Sequence, residues 1–369
     1  MKGRHGQRGE AEVDDAEAGA LLDEGEPAAT PETAKKAMER QAGLTVNNVA
    51  VSLILMCLSC AYALSATISK NPDGSYPYQT VLVPLLAEAL KAIISGISLG
   101  IELKALTPSE RIARIPWTYG SLLMAGVPGV GYQILNNLQF VTLYFLDMPT
   151  YQILANLKII ATGLAGHWML NRKLAQGQWL GLALLGFGAA VTQLGHICDG
   201  EDSTVVDIRG YMSAMVCVCL SAIIGVFTEK FMKSEQCSIH WQNFQLYIWG
   251  VFSNIIVLIW SSTMTMTATP KEDTAAPTSP GLSMEGFNFA AWCAVVSLSL
   301  TGLAVSFLLR FADSIVKTYA TVLSAPFSAI VAYAVLGSHI GVEHIVGLGV
   351  MVVSFAYYYG GASLFASPT

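Results

Sequence analysis

Long apolar runs recur along the chain from residue 47 to residue 364, separated mostly by short polar connections. Each run has about 20 residues, the length that an α-helix needs to cross the hydrocarbon core of a bilayer. The pattern therefore predicts an all-α membrane protein with ten transmembrane helices. The predicted spans are 47–68, 79–100, 117–140, 148–170, 176–196, 211–231, 242–263, 287–309, 314–336 and 342–364.

The composition supports a membrane protein and excludes two other classes. Hydrophobic residues make up 53% of the chain and charged residues only 12%, against about 25% charged residues in soluble domains. Many of the charges lie in residues 1–46, an acidic segment without apolar periodicity that is predicted to be a disordered tail. Residues 47–365, the predicted ten-helix domain, have too few polar residues to cover a soluble fold. A soluble enzyme and a nucleic-acid-binding protein are therefore both excluded.

The basic residues beside the spans predict the topology. Most of them fall on one side of the membrane, and the positive-inside rule places that side in the cytosol. Both termini then lie in the cytosol, which requires an even number of spans and agrees with ten. The cytosolic side has Lys35, Lys36, Arg40, Lys104, Arg111, Arg114, Arg172, Lys173, Lys230, Lys233 and Arg310, and the other side has Lys70, Arg209 and Lys271.

A shift of 166 residues aligns parts of the chain with one another without a gap. It places the segment beginning at Asp147 on the segment beginning at Asp313, and Gly181 on Gly347. The shift corresponds to five helices, an odd number, so the two halves at 47–196 and 211–364 would have opposite orientations. Inverted repeats of this kind are typical of secondary transporters, whose substrate sites lie near the midplane between the repeats.

Ionisable residues inside the spans are few, and each costs about 2.5–3.5 kcal/mol on insertion scales. Glu88 and Lys91 are three residues apart and can neutralise each other on one helix face, so a structural pair is one interpretation of them. Glu229 and Lys230 lie near a predicted cytosolic helix end, where we expect both side chains to reach the interface.

Lys158 and Lys317 differ from these residues because each lies several residues inside its span. The one acidic residue three or four positions from either lysine is Asp313, near Lys317. Two cations near mid-membrane, one in each half, predict an anion-binding site. The alternative is that each ammonium group donates to backbone carbonyl groups of a neighbouring helix.

Tyrosine, asparagine and serine side chains accompany these lysines on the same or neighbouring helices. Such groups can stack on a base or hydrogen-bond to a base and to sugar hydroxyls, although each one alone is also typical of ordinary contacts between membrane helices. The i, i+4 pairs are Tyr132 with Asn136 and Asn243 with Tyr247, Tyr151 precedes Lys158 by seven residues, and Ser221 lies in the helix before Asn243.

Several segments in combination resemble the signature of the nucleotide-sugar transporters, in particular of the branch for CMP-sialic acid, UDP-galactose and UDP-N-acetylglucosamine. The similarity extends over about residues 47–365. The segments are Glu88-Ala-Leu-Lys91, Tyr132-Gln-Ile-Leu-Asn136-Asn137, Leu146-Asp147-Met-Pro-Thr-Tyr151-Gln152, Leu157-Lys158-Ile, Gln178-Trp179, Gly225-Val-Phe-Thr-Glu229-Lys230, Gln242-Asn243-Phe-Gln245-Leu and Arg310-Phe-Ala-Asp313-Ser-Ile-Val-Lys317.

The resemblance implies a drug/metabolite transporter fold made of two inverted five-helix halves. It implies exchange of a cytosolic nucleotide sugar for a lumenal nucleoside monophosphate across the Golgi membrane, with the endoplasmic reticulum as second choice. Lys158 and Lys317 would then hold the phosphates. The nucleotide pocket would be lined by Tyr132, Asn136 and Tyr151 from the first half and by Ser221, Asn243 and Tyr247 from the second.

Two other functions remain open at this point. One is a carrier with the same fold for another phosphorylated metabolite or for an amphipathic export substrate, and the other is a membrane-embedded transferase. A transferase needs a catalytic base or metal ligands, and the acidic residues of the 197–210 connection have no histidine at a fixed spacing. We therefore predict no enzymatic activity, no catalytic residue, no metal site and no cofactor. The sequence leaves the carried base and sugar open, and also whether the protein forms homo-oligomers.

Overall fold

The computed structural model describes residues 31–71, 76–146, 148–193, 208–233, 237–267, 284–337 and 341–364. Within these ranges the regular secondary structure is helical, and no strand is present. The helices are α1 (Pro31–Ile68), α2 (Leu82–Lys104), α3 (Pro108–Arg114), α4 (Tyr119–Phe145), α5 (Met148–Ala155), α6 (Lys158–Leu170), α7 (Gln176–Val191), α8 (Ile208–Met232), α9 (Ile239–Thr267), α10 (Phe289–Phe311), α11 (Ser314–Leu336) and α12 (Val342–Leu364).

Each of the ten predicted spans lies largely on helix, and one of them is divided. The span predicted at 148–170 consists of α5 and α6, which are separated at Asn156 and Leu157. Eight helical segments of the described chain are long and apolar enough to cross a membrane, and α4 and α7 are not among them. Helix α7 has only 16 residues, and the second half of α4 carries amide side chains that lower its mean hydropathy.

Helix α1 begins at Pro31, inside the predicted tail, while residues 1–30 lie outside the described residues. Proline is favourable in the first turn of a helix, and the Ala, Lys, Glu, Met and Arg residues that follow are good helix formers. Residues 1–47 form a unit separate from residues 48–369. The packing described below belongs to the second unit.

Glycines bring α7 and α12 into close backbone contact. A Cβ atom on Gly188 would lie 2.9 Å from the carbonyl oxygen of Gly347, and one on Gly181 would lie 3.0 Å from the backbone nitrogen of Tyr358. The Ser354 hydroxyl donates to the Gly181 carbonyl at 2.6 Å. Along this interface the residue numbers rise in α7 as they fall in α12, so the two helices run antiparallel.

Helices α2 and α9 also pack antiparallel, and the Glu88–Lys91 pair lies in their interface. The Lys91 ammonium donates to Glu88 Oε1 at 2.7 Å, which confirms the predicted pair. A Cβ atom on Gly250 of α9 would lie 2.6 Å from Glu88 Oε2, and Lys91 Nζ lies 4.6 Å from the centroid of the Tyr247 ring. The pair is thus enclosed by the neighbouring helix rather than exposed to lipid.

The expectation that Glu229 reaches the interface is wrong, because its side chain is fully buried. Its Oε1 accepts hydrogen bonds from Arg172 Nη2 at 2.5 Å and Lys233 Nζ at 2.7 Å, and its Oε2 accepts from the Ser314 backbone N–H at 2.9 Å. Arg172 Nη1 also lies 3.8 Å from Asp313 Oδ2. A buried charge requires such partners, and these connect the α6–α7 turn to the end of α8 and the start of α11.

Candidate functional site

A polar cavity of about 290 Å³ lies between α4, α5, α6, α7, α11 and α12. Lys158 and Tyr151 line it, together with the amide side chains of Gln139, Gln152 and Asn156. A second cavity of the same volume, between α1, α11 and α12, is lined mainly by apolar and aromatic side chains. The polar cavity is therefore the better candidate for a charged ligand.

The interruption between α5 and α6 places Lys158 at the first residue of α6. Asn156 and Leu157 form a turn in which Ile159 donates to the Asn156 carbonyl at 3.0 Å, so both Asn156 and Lys158 reach the cavity. Within the described part of the chain the Lys158 ammonium has no hydrogen-bond or ion-pair partner, although the side chain is partly buried. The alternative that this ammonium is held by backbone carbonyls therefore has no support among the described residues.

Lys317 is the second lysine of the predicted anion site, and it contacts Tyr132 across the α4–α11 interface. Its Nζ donates to the Tyr132 hydroxyl oxygen at 3.1 Å and lies 5.3 Å from the ring centroid. Thr321, one helical turn after Lys317, lines the polar cavity, and its hydroxyl donates to the Lys317 carbonyl at 3.1 Å. Asp313 Oδ1 accepts from the Val316 N–H and caps α11, so the neighbouring carboxylate serves the helix end. Lys158 therefore lines the cavity and Lys317 lies one helical turn from it, and we call the part of the bundle around these two cations the electropositive region.

Asn243 and Tyr247 lie on α9, in the interface with α2 and α10. The buried Tyr247 hydroxyl donates to the Gly302 carbonyl and to Ser306 Oγ, both at 3.3 Å. Asn243 is fully buried, and neither its Oδ1 nor its Nδ2 has a hydrogen-bond partner among the described residues. An unsatisfied buried amide is costly, so Asn243 is a stronger candidate than Tyr247 for a ligand contact in another conformation of the carrier.

The remaining predicted residues are less closely associated with the cavity. Ser221 is half-buried on α8, and Asn136 is exposed on α4, where its amide donates to Gln133 Oε1 at 3.3 Å. Like Tyr132, Lys317, Asn243 and Tyr247, neither residue lines the polar cavity. The structure thus places Lys158 and Tyr151 together in the cavity and joins Lys317 to Tyr132 beside it.

Sequence reasoning did not single out the cavity amides Gln139, Gln152 and Asn156, although a local signal was present. Gln152 and Asn156 are four residues apart, which places them on one face of a helix, and they lie between the predicted residues Tyr151 and Lys158. Gln139 is seven residues after Tyr132 on the same helix. The spacing indicated a shared polar face, but it could not show that Gln139 of α4 and Gln152 of α5 line one cavity.

Comparison with known proteins identifies the family. A family model described as nucleotide-sugar transporter matches residues 45–360. The chain belongs to the nucleotide-sugar transporter family. Within that family it is 31% identical over 315 residues to CMP-sialic acid transporter 1 of Arabidopsis thaliana, with 84% of this chain and 88% of the relative covered.

Three further matches extend this similarity. The UDP-galactose translocator of Bos taurus is 32% identical, over 83% of this chain and 76% of its own length, and that of Homo sapiens is 29% identical, over 83% and 75%. A crystal structure matches with a TM-score of 0.57 at 16% identity, covering 87% of this chain and 99% of the other. At that identity the structural match shows a shared fold only.

The polar cavity is lined by cationic, aromatic, amide and hydroxyl side chains. No group of three or more His, Cys, Asp or Glu residues that could hold a metal ion is present in the described part of the chain. Cys57 and Cys60, whose spacing resembles a redox or metal pair, are free thiols. The family relatives above are named as transporters and translocators, and the groups at the cavity are suited to hold an anionic, hydrogen-bonding ligand.

Proposed function

We propose that this nucleotide-sugar transporter is an antiporter that exchanges a cytosolic pyrimidine nucleotide sugar, of the CMP-sialic acid or UDP-sugar type, for a lumenal nucleoside monophosphate. The names of the relatives support this choice, because cytosine and uracil are both pyrimidines. The proposed location is the Golgi membrane, or the endoplasmic reticulum as second choice, with both termini in the cytosol. The protein is proposed to transport its substrate without altering it.

The observation that carries the proposal is the unpartnered ammonium group of Lys158 in a polar cavity whose lining residue Thr321 lies one helical turn from Lys317. A cation inside a membrane protein is costly without a counter-charge. Phosphate oxygens would supply that charge and form charge-assisted hydrogen bonds, which are stronger than neutral ones. Tyr132 positions Lys317, and Asn243 offers an unsatisfied amide.

Ten spans in two inverted halves are proposed for the architecture, and the helix contacts support this arrangement. The 166-residue shift relates Gly181 to Gly347 and Gly188 to Ser354. The contact of Gly181 with Ser354 therefore corresponds to the contact of Gly347 with Gly188. Because α7 and α12 run antiparallel at these contacts, the proposed equivalent helices point in opposite directions, as in an inverted repeat.

Obligatory exchange, without transport by the empty carrier, would follow from the free-energy cost of burying the two lysines without a ligand. The loaded carrier can change conformation more readily than the empty one, because the bound phosphate offsets the unfavourable burial of the lysines. Only such a difference between the loaded and empty states can shift the conformational equilibrium. The nucleotide sugar and the nucleoside monophosphate would use the same electropositive region alternately.

Replacement of Lys158 by methionine tests this proposal. Loss of a hydrogen bond to a charged group corresponds to about 1.5–3 kcal/mol, so we expect nucleotide affinity to fall by about 10- to 150-fold and exchange in proteoliposomes to be abolished. Thermal stability without ligand should stay unchanged or rise, because an unpaired charge is removed. Lys317→Met should also abolish exchange, and the exposed Lys230→Met provides the control.

Near-normal exchange by both the Lys158 and Lys317 variants would contradict the proposal. The substrate is identified with a panel of nucleotide sugars outside proteoliposomes that are preloaded with CMP, UMP or GMP. Stimulation by a preloaded pyrimidine monophosphate supports antiport. Uptake that no nucleotide inhibits would favour the alternative, a carrier of the same fold for another phosphorylated metabolite or an export substrate.

A further inference from the structure

The apolar cavity between α1, α11 and α12 has the same volume as the polar one, about 290 Å³, but opposite chemistry. None of the described residues that line it is charged, and its polar side chains are one serine and two tyrosines. The hydroxyl of one of these, Tyr319, is already bonded to Ser354 Oγ at 2.9 Å. Apolar cavities stay dry, and an empty space costs the side chains around it their dispersion contacts. An apolar molecule is therefore the occupant that this cavity fits.

The apolar cavity is confined to one part of the membrane thickness. It extends along α11 from Val316 to Leu323 and along α12 from Val352 to Tyr359, which is about 10 Å in each helix. The hydrocarbon core is about 30 Å thick. These residues lie in the first half of α11 and the second half of α12, so the cavity lies within one leaflet.

The apolar cavity opens to the bilayer between α1 and α12. Leu53 of α1 and Val352 of α12 line it and are 53% and 60% exposed. Tyr319 and Ala320 of α11 are buried and form its floor. In the span of α1 that begins at Ala50, 11% of the residues in the apolar window are buried, the lowest share among the eight described spans. Helix α1 thus covers the cavity only in part, and lipid chains border the opening.

We propose that the apolar cavity binds one acyl chain of a phospholipid from the adjacent leaflet, and that this chain supports α11. The inference concerns a lipid and not the transported substrate, so it is independent of the proposed function. Acyl chains are the apolar molecules that surround the protein in a bilayer. The volume of about 290 Å³ is at the lower limit of ligand pockets, roughly 300–1,000 Å³. A single flexible chain suits such a space between three helices better than the rigid ring system of a sterol.

Helix α11 separates the two cavities, which gives the bound chain a role. Val316 and Ala320 line the apolar cavity, whereas Thr321 lines the polar one. Lys317 of the same helix contacts Tyr132 across the interface with α4. A displacement of α11 toward α1 would fill the apolar cavity and enlarge the polar one. The acyl chain opposes that displacement, so it stabilises the arrangement in which Lys317 contacts Tyr132.

Labelling by a phosphatidylcholine that carries a diazirine in one acyl chain tests the inference. The full-length protein is reconstituted with this lipid, extracted into detergent, separated from unbound lipid by gel filtration, illuminated and digested for mass spectrometry. We expect label on the cavity residues Met56, Leu323 and Phe355, because a chain held between helices is retained in detergent. Phe252 of α9, which is 53% exposed and does not line the cavity, is the matched reference for Phe355 and should exchange its lipid for detergent.

Val352→Trp should displace the chain, because the new indole ring can turn from the rim into the cavity, and the label on the three cavity residues should disappear. The matched control is Val353→Trp, at an exposed position of α12 that does not line the cavity, and it should retain the label. Removal of lipid should lower the Tm of the wild type and of Val353→Trp, as does the loss of any ligand that binds the folded state. It should lower the Tm of Val352→Trp much less.

If Val352→Trp does not yield folded protein in gel filtration, Ser52→Phe fills the cavity from α1 and the same loss of label is expected. Equal label on Phe355 and Phe252, no retained lipid in the wild type, or unchanged label in the folded Val352→Trp variant would overturn the inference. Stronger labelling of the cavity by a photoactivatable cholesterol would also overturn it, as would a dimer that Val352→Trp converts to a monomer. All these measurements are made without transport, so their failure leaves the proposed function untouched.

Discussion

Removing the charge of Glu229 should destabilise the bundle by a predictable amount. Glu229→Gln keeps the size of the fully buried side chain but weakens its contacts with Arg172, Lys233 and the Ser314 N–H. Breaking a buried ion pair costs about 3–5 kcal/mol. The expected loss is smaller here, because the Lys233 side chain is 39% exposed and can turn to solvent, and because Arg172 retains Asp313 at 3.8 Å.

We therefore expect a loss of about 2–4 kcal/mol for Glu229→Gln, where the upper value applies if the Ser314 N–H is also left without a strong acceptor. With an unfolding entropy of about 2.1 cal/mol/K per residue over roughly 320 residues, the apparent Tm falls by about 3–6 °C. Thermal unfolding of the detergent-solubilised protein, followed by gel filtration of the surviving fraction, measures this shift. The control is Glu343→Gln at the start of α12, whose partly exposed carboxylate should contribute less than about 1 kcal/mol.

A double-mutant cycle shows whether the loss arises from the Arg172 contact. Arg172→Met should destabilise the wild-type protein clearly, but it should cost much less in the Glu229→Gln background, because residues in direct contact are not additive. A Tm of Glu229→Gln equal to that of the wild type, or strictly additive losses in the double variant, would refute the reasoning. Either result would mean that the buried carboxylate does not hold the α6–α7 turn to α8 and α11.

Two further predictions follow from the packing. Gly347→Ala should destabilise the protein by about 1–3 kcal/mol through overpacking, because its Cβ would meet Thr192 Cγ2 and lie 2.7 Å from the Gly188 carbonyl oxygen. The control Gly349→Ala should be neutral or stabilising, because nothing lies within 4 Å of its Cβ. Equal Tm values for the two variants would contradict this prediction. Asn243→Leu should stabilise the ligand-free protein by about 1–3 kcal/mol, since it removes an unsatisfied buried amide, yet abolish exchange; a destabilised variant with normal exchange would show that the amide is structural.

The prediction of the spans succeeded where the signal was local. Apolar length identified α2 and α8 as helices because a helix satisfies its backbone hydrogen bonds within its own segment. The same criterion missed the turn between α5 and α6, since Asn156 and Leu157 interrupt the helix without any proline or glycine. Helix α4 differs in the opposite way. It is one continuous helix, but its amide side chains lower the mean hydropathy by which membrane spans are recognised.

The residues of the candidate site were likewise predicted from the sequence only in part. Lys158 and Lys317 could be found from the sequence, because a lysine within an apolar run has no local compensation and so requires a partner or a function. The contact of Lys317 with Tyr132 joins residues 185 positions apart, and no helical spacing predicts it. Glu229 was misjudged for the same reason, because its partner Arg172 lies 57 residues away.

The amino-acid sequence by itself thus determined that this is a membrane protein, where its helices lie and which two lysines an anion would neutralise. Hydropathy and helical periodicity are properties of contiguous residues, so both can be recognised in the sequence. Only the tertiary structure determined which side chains contact each other or line the same cavity. It separated Lys158, which has no partner among the described residues, from the buried and fully paired Glu229, and it brought Gln139 of α4 together with Gln152 of α5 around one cavity. Such contacts depend on how helices distant in the chain pack against one another, and a one-dimensional pattern does not contain that information.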